Sequence, residues 1–183
     1  MKLYLSRDRF GEKPLYYGNV GRDFLFGSEL KAFRTHPEFT NKLDRGTISS
    51  FLAYSHVPAP SSIFQNIFKL QPAHILCVDF ERNKKSLSTY WSLKDSTKLN
   101  YKDKSNNREL ILNELHKKLN IAVAGQMVAD VPVGVFLSGG VDSSLIVALM
   151  QQQSSNPVHT FSIGFSEDEY DESPYARAVA KHL

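Results

Sequence analysis

The chain has 183 residues, of which 42% are apolar and 22% are charged, so its length suits one complete domain or parts of two. This composition, without a sustained heptad pattern, excludes a disordered tail and a coiled coil. A net charge of +3 with no dense run of Lys or Arg argues against a nucleic-acid partner. No apolar stretch approaches the ~20 residues of a membrane span, so no membrane partner is expected. A single cysteine and the lack of an apolar leader predict a reducing, cytoplasmic location.

The first half of the chain contains short apolar and aromatic runs that are separated by turn residues. Three strands are predicted here, at residues 3–5, 15–17 and 24–26. Because turn residues separate them, we interpret these strands as a β-meander. Asp44 is predicted to cap a short helix, and two further strands are predicted at residues 74–80 and 87–91.

The composition changes at residues 94–107, which are polar and almost free of apolar side chains, and we place a linker and a domain boundary there. An amphipathic helix is predicted beyond it, because apolar residues recur at intervals of three and four at Leu112, Leu115, Leu119 and Ala122. Strands at 133–137 and 158–163 then alternate with helices at 145–153 and from Ser173, the predicted cap before Pro174. This alternation predicts an α/β unit with a doubly wound parallel sheet.

The sharpest local pattern is FLSGGVDSS at residues 136–144, between the first of these parallel strands and its helix. Glycines let backbone N–H groups approach a phosphate, and a helix N-terminus adds positive potential, so we predict an anion cradle. The hydroxyls of Ser138, Ser143 and Ser144 are the expected side-chain donors. Asp142 would repel a bare phosphate, which predicts a divalent cation, Mg²⁺, between the two.

Three other interpretations apply to such a loop. A Walker A loop requires a lysine that this turn lacks, and a nucleophile elbow requires glycine where Phe136 stands, two positions before Ser138. The remaining alternative is a strand-to-helix turn that binds nothing, which the flanking serines and Asp142 disfavour.

SGGVDSS after an apolar strand resembles the pyrophosphate loop of the N-type ATP pyrophosphatases, among them GMP synthetase, NAD synthetase and asparagine synthetase. Residues 130–150, with the downstream segments FSIGF and YDESPYARAVAKHL, are similar to the glutamine-dependent asparagine synthetases. The first half agrees independently, because RDRFGEKPLYYG at 7–18 and FGSELKAF at 26–33 resemble the end of that family's class II glutamine amidotransferase domain. LQPAHIL resembles the family's LxPGH segment, with Ala73 in place of the glycine.

The resemblance implies two parts with different folds. Residues 1–93 would form an α+β part, the β-sandwich end of the amidotransferase domain, and residues 94–107 a linker. Residues 108–183 would form the start of the α/β synthetase domain, with an incomplete doubly wound sheet. We therefore expect an internal piece of a longer enzyme, inactive and prone to aggregation alone, with a homodimer or a complementing chain as its protein partner.

For the site, the resemblance implies that different residues contact the two ends of ATP. The backbone of Leu137, Ile163 and Gly164 would contact the adenosine. The pyrophosphate oxygens would be held by Ser138, Gly139, Gly140, Ser143 and Ser144, and Asp142 would help to hold Mg²⁺. In the implied reaction the carboxylate of aspartate attacks the α-phosphate of ATP, and ammonia from glutamine then displaces AMP from β-aspartyl-AMP.

No catalytic residue is assigned, because the family's glutaminase uses a cysteine directly after the initiator Met, whereas position 2 here is Lys. Cys77 lies in a predicted strand and is interpreted as a buried structural thiol. Four signature residues of the first half have no assigned chemistry: Arg7, Asp8, Ser28 and Glu29. The alternative to a functional role for them is that they form exposed or interdomain ion pairs. Two other functions stay open, a non-catalytic nucleotide-binding or partner-binding remnant and a relative that amidates a different carboxylate.

Overall fold

The computed structural model describes residues 1–40, 42–99 and 107–183, and the chain divides into two compact units, Met1–Asp103 and Lys104–Leu183. The first unit contains β1 (Lys2–Ser6), β2 (Tyr16–Val20), β3 (Asp23–Gly27), a 3₁₀ helix (Leu30–Thr35), α1 (Arg45–Tyr54), β4 (Ile67–Lys69), β5 (His74–Asp79), β6 (Lys84–Thr89) and α2 (Leu93–Leu99). The second contains α3 (Arg108–Gln126), β7 (Gly134–Phe136), α4 (Val141–Gln153), β8 (His159–Phe161) and α5 (Ser173–His182). Within the described ranges, none of the helices combines the length and hydrophobicity that a membrane crossing requires.

The first unit contains two three-stranded antiparallel sheets, with strand orders β1-β5-β6 and β3-β2-β4. They pack face to face because alternate residues of β1 and β5, among them Leu5 and Leu76, point at Tyr17 and Phe24 of the other sheet. Each such buried side chain contributes roughly 1.5–3 kcal/mol relative to an exposed one. The interior between the two sheets is therefore the main core of this unit.

The prediction of a β-meander was wrong. β2 and β3 do form a hairpin, but β1 pairs with β5, with Leu5 opposite Leu76 in the register. A pairing across about seventy residues depends on how the two apolar faces meet in space, and no local pattern encodes it. The five strands predicted in this unit are present, although β6 begins three residues earlier than expected, at Lys84. The short strand β4 was not predicted.

The second face of the β3-β2-β4 sheet is also buried. Phe33 of the 3₁₀ helix is only 1% exposed and packs with Val20 and Ile67. The predicted cap of α1 is confirmed, because the Asp44 carboxylate accepts a hydrogen bond from the Thr47 N–H at 2.9 Å.

The second unit has a two-stranded parallel sheet, β7-β8, whose strands are joined through α4. One cluster packs α3 on α4 through Val123, Leu149 and Met150. Another packs α5 against the end of β7, with Ala176 touching Leu137 and Val147. The predicted order of strands and helices is thus confirmed, whereas a doubly wound sheet stays a prediction, because the described residues form two parallel strands.

Three predictions about helices differ from the structure. The apolar stripe of α3 is half exposed at Leu112 and Leu115, each 50% accessible, and α3 is buried only further along, at Val123. The last helix has Glu172, not Ser173, at its N-cap, and Ser173 is its first residue. The predicted linker begins in a helix, since residues 94–99 belong to α2, and its residues 100–106 lie outside the described residues.

Candidate functional site: a phosphate loop and a strand-end pocket

The predicted phosphate loop lies where β7 ends and α4 begins. Leu137 directly follows β7 and is 2% exposed, because it packs against Val147 and Ala176. Its N–H donates to the Phe161 carbonyl at 2.9 Å, which extends the pairing with β8 by one residue. The loop therefore follows the carboxyl end of β7, beside the carboxyl end of β8, and open α/β sheets bind ligands at this edge.

Hydrogen bonds within the loop fix its shape. The hydroxyl oxygens of Ser138 and Ser143 lie 2.9 Å apart, and the Ser138 N–H donates to the Ser143 hydroxyl at 3.3 Å. The Gly140 N–H donates to the Ser138 hydroxyl at 3.3 Å, and the Ser143 hydroxyl donates to the Gly140 carbonyl at 3.2 Å. Two of the three predicted serine donors thus already hold the backbone of the loop.

Glycine is required at position 139 for two reasons. Its φ of +83° is left-handed, and an added Cβ would lie 2.6 Å from Tyr175 Cβ and 2.7 Å from Ala176 N. Real Cβ atoms do not approach backbone so closely, and α5 has no flexible side-chain end to move aside here. The backbone of the loop and the start of α5 are therefore in direct contact through Gly139.

Within the described ranges, no side chain caps the N-terminus of α4. Its N-cap, Gly140, provides no side-chain hydrogen bond, whereas Asp44 caps α1 and Asn107 caps α3. The first N–H groups of a helix have no partner within the helix and carry its positive potential. The hydroxyl of Ser144 is buried and has no hydrogen-bond partner in the part of the chain that the structure describes. The N–H groups at this end of α4 are thus available to an anion.

A pocket of about 250 Å³ opens beside the loop at the ends of the two strands. We call it the strand-end pocket, and its lining residues are Phe136, Leu137, Ser138, Phe161, Ser162, Ile163, Phe165 and Glu172. It brings together three of the predicted site residues, Leu137, Ser138 and Ile163. Ile163 is 70% exposed, so it does not belong to the sheet core.

Gly164 lies between Ile163 and Phe165, which both line the pocket, but it does not line the pocket itself. A Cβ there would lie 3.6 Å from the Asp171 carboxylate, at ordinary contact distance. The Asp171 carboxylate accepts from the N–H and the hydroxyl of Ser173 at 3.1 and 3.0 Å, and from the Phe165 N–H at 3.4 Å. These bonds, the Ser173 hydroxyl above all, hold the pKa of Asp171 below its ordinary value. Asp171 therefore joins the segment after β8 to the start of α5.

Asp142, the predicted metal ligand, lies exposed in the first turn of α4. No group of three or more metal-ligating side chains occurs within the described ranges. Mg²⁺ is commonly held by one or two carboxylates together with phosphate oxygens and water. Asp142 beside an anion cradle suits that donor set.

Three residues of this region were missed from the sequence. Ser162 donates to the Leu137 carbonyl at 2.7 Å, Glu172 lines the strand-end pocket, and Asp171 orders the loop above it. The segments FSIGF and YDES contain all three residues, but the sequence does not show which of their side chains point toward β7. Only the packing of α5 against the phosphate loop reveals this.

The signature pair Arg7 and Asp8 of the first unit has a structural role. The Arg7 guanidinium donates to the carbonyls of Gly11 and Leu70 at 2.6 Å and of Lys13 at 2.9 Å. The Asp8 carboxylate accepts from three backbone N–H groups between residues 10 and 13, and these bonds, the one from Glu12 first, lower its pKa. Among the described residues neither side chain forms an ion pair, and both instead shape the loop between β1 and β2.

The other residues that the sequence analysis singled out in the first unit also lie in surroundings that indicate no catalytic or binding role. Glu29 forms an exposed ion pair with Lys31 at 2.6 Å, as the ion-pair alternative expected. Cys77 is half-buried rather than buried, because it lies on the face of β5 opposite Leu76 and Val78. Nothing in the structure assigns a chemical role to Ser28.

Comparison with known proteins adds independent information. A sequence profile of the glutamine amidotransferase domain matches residues 1–91, and one of asparagine synthase matches residues 114–183. The chain is 39% identical over 184 residues to a protein of Methanocaldococcus jannaschii provisionally named glutamine-hydrolyzing asparagine synthetase 2, with 99% of this chain and 34% of the relative covered. It is 35% identical over 172 residues to glutamine-hydrolyzing asparagine synthetase 3 of Bacillus subtilis, with 91% and 27% covered.

A third relative has a different name. The chain is 33% identical over 198 residues to amidase chyE of Penicillium rubens, with 99% of this chain and 28% of the relative covered. The chain thus spans between about a quarter and a third of the length of these curated relatives. The two profile matches and the likeness over almost the whole chain show that it belongs to the glutamine-hydrolysing asparagine synthetase family.

Proposed function

We propose that the second unit binds ATP with Mg²⁺, with the phosphates in the loop of residues 137–144 and the adenosine in the strand-end pocket. One observation carries the proposal: Ser138 lines that pocket and bonds to Ser143 and Gly140 at the start of α4. No side chain caps this helix start among the described residues, and the Ser144 hydroxyl has no hydrogen-bond partner among them. A buried hydroxyl without a partner is unfavourable by about 1–3 kcal/mol, and a phosphate oxygen is a strong acceptor that would relieve this.

The predicted site residues contribute to this arrangement in different ways. The N–H groups at the start of α4 and the hydroxyl of Ser144 donate to the phosphates, and Asp142 contributes a carboxylate to Mg²⁺. The Leu137 N–H already donates to the Phe161 carbonyl, so the Leu137 carbonyl is the backbone group left to contact the adenosine. The Ser162 hydroxyl donates to this carbonyl, but a carbonyl oxygen can accept a second hydrogen bond. Ile163 and Gly164 would contact the opposite side of the nucleoside.

The whole enzyme, in this proposal, forms an amide. A carboxylate oxygen of aspartate attacks the α-phosphorus of ATP and the bond to pyrophosphate breaks, which gives β-aspartyl-AMP. Ammonia derived from the glutamine amide then attacks the acyl carbon and AMP leaves. Within this chain the loop aligns the nucleotide and offsets negative charge that develops on the departing pyrophosphate.

A second candidate is the same chemistry on a different substrate. The amidase name of the Penicillium relative favours it, since 99% of this chain matches part of that protein. The phosphate loop and the strand-end pocket would serve both reactions alike, because they contact the nucleotide and not the carboxylate.

Calorimetric titration of the 183-residue chain with pyrophosphate, with and without Mg²⁺, tests the proposal. We expect Mg²⁺ to strengthen binding by about 10-fold, comparable to one charge-assisted interaction, and Asp142→Asn to abolish that gain. Asp168→Asn, another exposed carboxylate, is the matched control and should retain the gain. Equal Mg²⁺ dependence in wild type and Asp142→Asn would refute the assigned metal role, and no pyrophosphate binding at all would refute the proposal.

A further inference from the structure

The strand-end pocket is lined by one acidic side chain that the proposed function does not use. Among the described residues that line it, Glu172 alone is charged, and the others are apolar or hydroxyl-bearing. Phe136, Phe161 and Phe165 are each more than half exposed around it. An exposed carboxylate thus lines an aromatic pocket next to an anion cradle.

Among the described residues, the Glu172 side chain makes no hydrogen bond that would explain its position. It is the N-cap of α5, yet its side chain makes no capping hydrogen bond. Asp171 binds the N–H and the hydroxyl of Ser173 instead. Within the described part of the chain the Glu172 carboxylate has no hydrogen-bond or ion-pair partner.

The charge of Glu172 determines which end of a nucleotide suits the pocket. A carboxylate only accepts hydrogen bonds and repels phosphate, so the group beside it must be uncharged and must carry donors. The nucleoside end of ATP carries such donors, the ribose hydroxyls and the exocyclic amine of the base. Exposed phenylalanine rings suit a nucleobase, because stacking on an aromatic ring is favourable for any base.

We propose that Glu172 accepts hydrogen bonds from the nucleoside and thereby sets the specificity of the pocket for a ligand with donors at that end. This inference rests on the proposed function, because it requires the phosphates to lie in the loop of residues 137–144. It adds a specificity-determining side chain to a site whose other nucleoside contacts are backbone and apolar groups.

The sign of a charge-removing substitution separates this role from simple proximity. If Glu172 only lay near the phosphates, Glu172→Ala would remove repulsion, and ATP and tripolyphosphate would both bind more tightly. If Glu172 binds the nucleoside, ATP should bind about 10-fold more weakly, as expected for losing a charge-assisted hydrogen bond, while tripolyphosphate keeps or gains affinity. Glu172→Gln, which retains one acceptor oxygen, should lie between wild type and Glu172→Ala.

The experiment is calorimetry of the full chain with ATP–Mg²⁺ and with tripolyphosphate–Mg²⁺, with Glu169→Gln as the control on the same acidic segment. Inosine triphosphate, which lacks the exocyclic amine, and 2′-deoxy-ATP, which lacks the 2′-hydroxyl, then identify the donor. The affinity of the analogue that lacks the donor should not change in Glu172→Ala. If wild type binds both ligands and Glu172→Ala leaves ATP affinity unchanged or raises it, the inference is overturned and the proposed function stands. If wild type binds neither ligand, the proposed function fails and the inference with it.

Discussion

Ser138 and Ser143 hydrogen-bond to each other through hydroxyl oxygens 2.9 Å apart, at the turn that joins β7 to α4. Both hydroxyls also bond to the backbone of Gly140. These bonds hold the shape of the loop, which limits the conformational entropy that binding would otherwise lose. Ser144, one residue further on, differs from both because its hydroxyl has no partner within the described residues.

This difference predicts opposite effects on stability for two neighbouring serines. Ser144→Ala should stabilise the second unit by up to about 1 kcal/mol, because it removes a buried unsatisfied hydroxyl, yet it should weaken ATP binding. Ser143→Ala should destabilise the same unit by about 1 kcal/mol, because it removes bonds that hold the loop. Hydrogen exchange of the α4 amides measures stability, and calorimetry measures binding. Equal stability changes in the two variants would contradict the distinction.

Gly139→Ala should destabilise the second unit by about 2–4 kcal/mol. The left-handed φ of +83° accounts for part of the loss, and the contact of a new Cβ with Tyr175 and Ala176 for the rest. Gly140→Ala is the matched control, because its φ is −71° and its new Cβ would meet only the Ser138 hydroxyl, at 3.4 Å. If the α4 amides were equally protected from exchange in Gly139→Ala and Gly140→Ala, the close approach of Gly139 to Tyr175 and Ala176 would not exist.

Local patterns predicted the elements around the phosphate loop because a strand, a glycine turn and a helix start are adjacent in the chain. They did not predict the partner of β1, since β5 lies some seventy residues away, nor the role of Arg7, whose partners include the distant Leu70 carbonyl. Glu172 was missed for the same reason. Its place in the strand-end pocket follows from the packing of α5 against Gly139, which no spacing reveals.

Ala73 occupies a position where the family pattern has glycine, and its φ of +59° explains why. An L-residue in the left-handed region is strained by roughly 1–2 kcal/mol, although Ala73→Gly also gives up a small buried methyl group. We expect Ala73→Gly to stabilise the first unit by up to about 1 kcal/mol. Urea unfolding followed by the fluorescence of Trp91, the single tryptophan, measures this.

The same substitution in α1 is the control for this prediction. Ala53 is exposed and helical, so Ala53→Gly should destabilise the first unit by about 1 kcal/mol. Two variants that shift the urea midpoint in the same direction would show that strain at Ala73 is not the cause.

The hydrogen bonds of Asp171 predict an acid-sensitive start of α5. Its pKa lies below its ordinary value of 3.8, mainly because of the Ser173 hydroxyl. The stabilisation is therefore complete above pH ~4 and is lost as the pH falls through the lowered pKa. Asp171→Asn should reduce exchange protection of the α5 amides at pH 6 and leave it independent of pH down to acid conditions. Asp168→Asn is the control and should behave like wild type. If Asp171→Asn still lost exchange protection of α5 in acid as wild type does, the Asp171 carboxylate would not be the source of that loss.

The most direct test of the central claim, that residues 137–144 hold the phosphates of ATP, is a titration of the ¹⁵N-labelled chain with ATP–Mg²⁺ followed by amide chemical shifts. The account predicts the largest changes at Gly139, Gly140, Val141, Asp142 and Ser144, with smaller changes at Ile163 and Gly164 beside the strand-end pocket. Tripolyphosphate should reproduce the first set of changes and not the second. Saturable shifts confined to the first unit, or no shifts at the start of α4 at millimolar ATP, would contradict it.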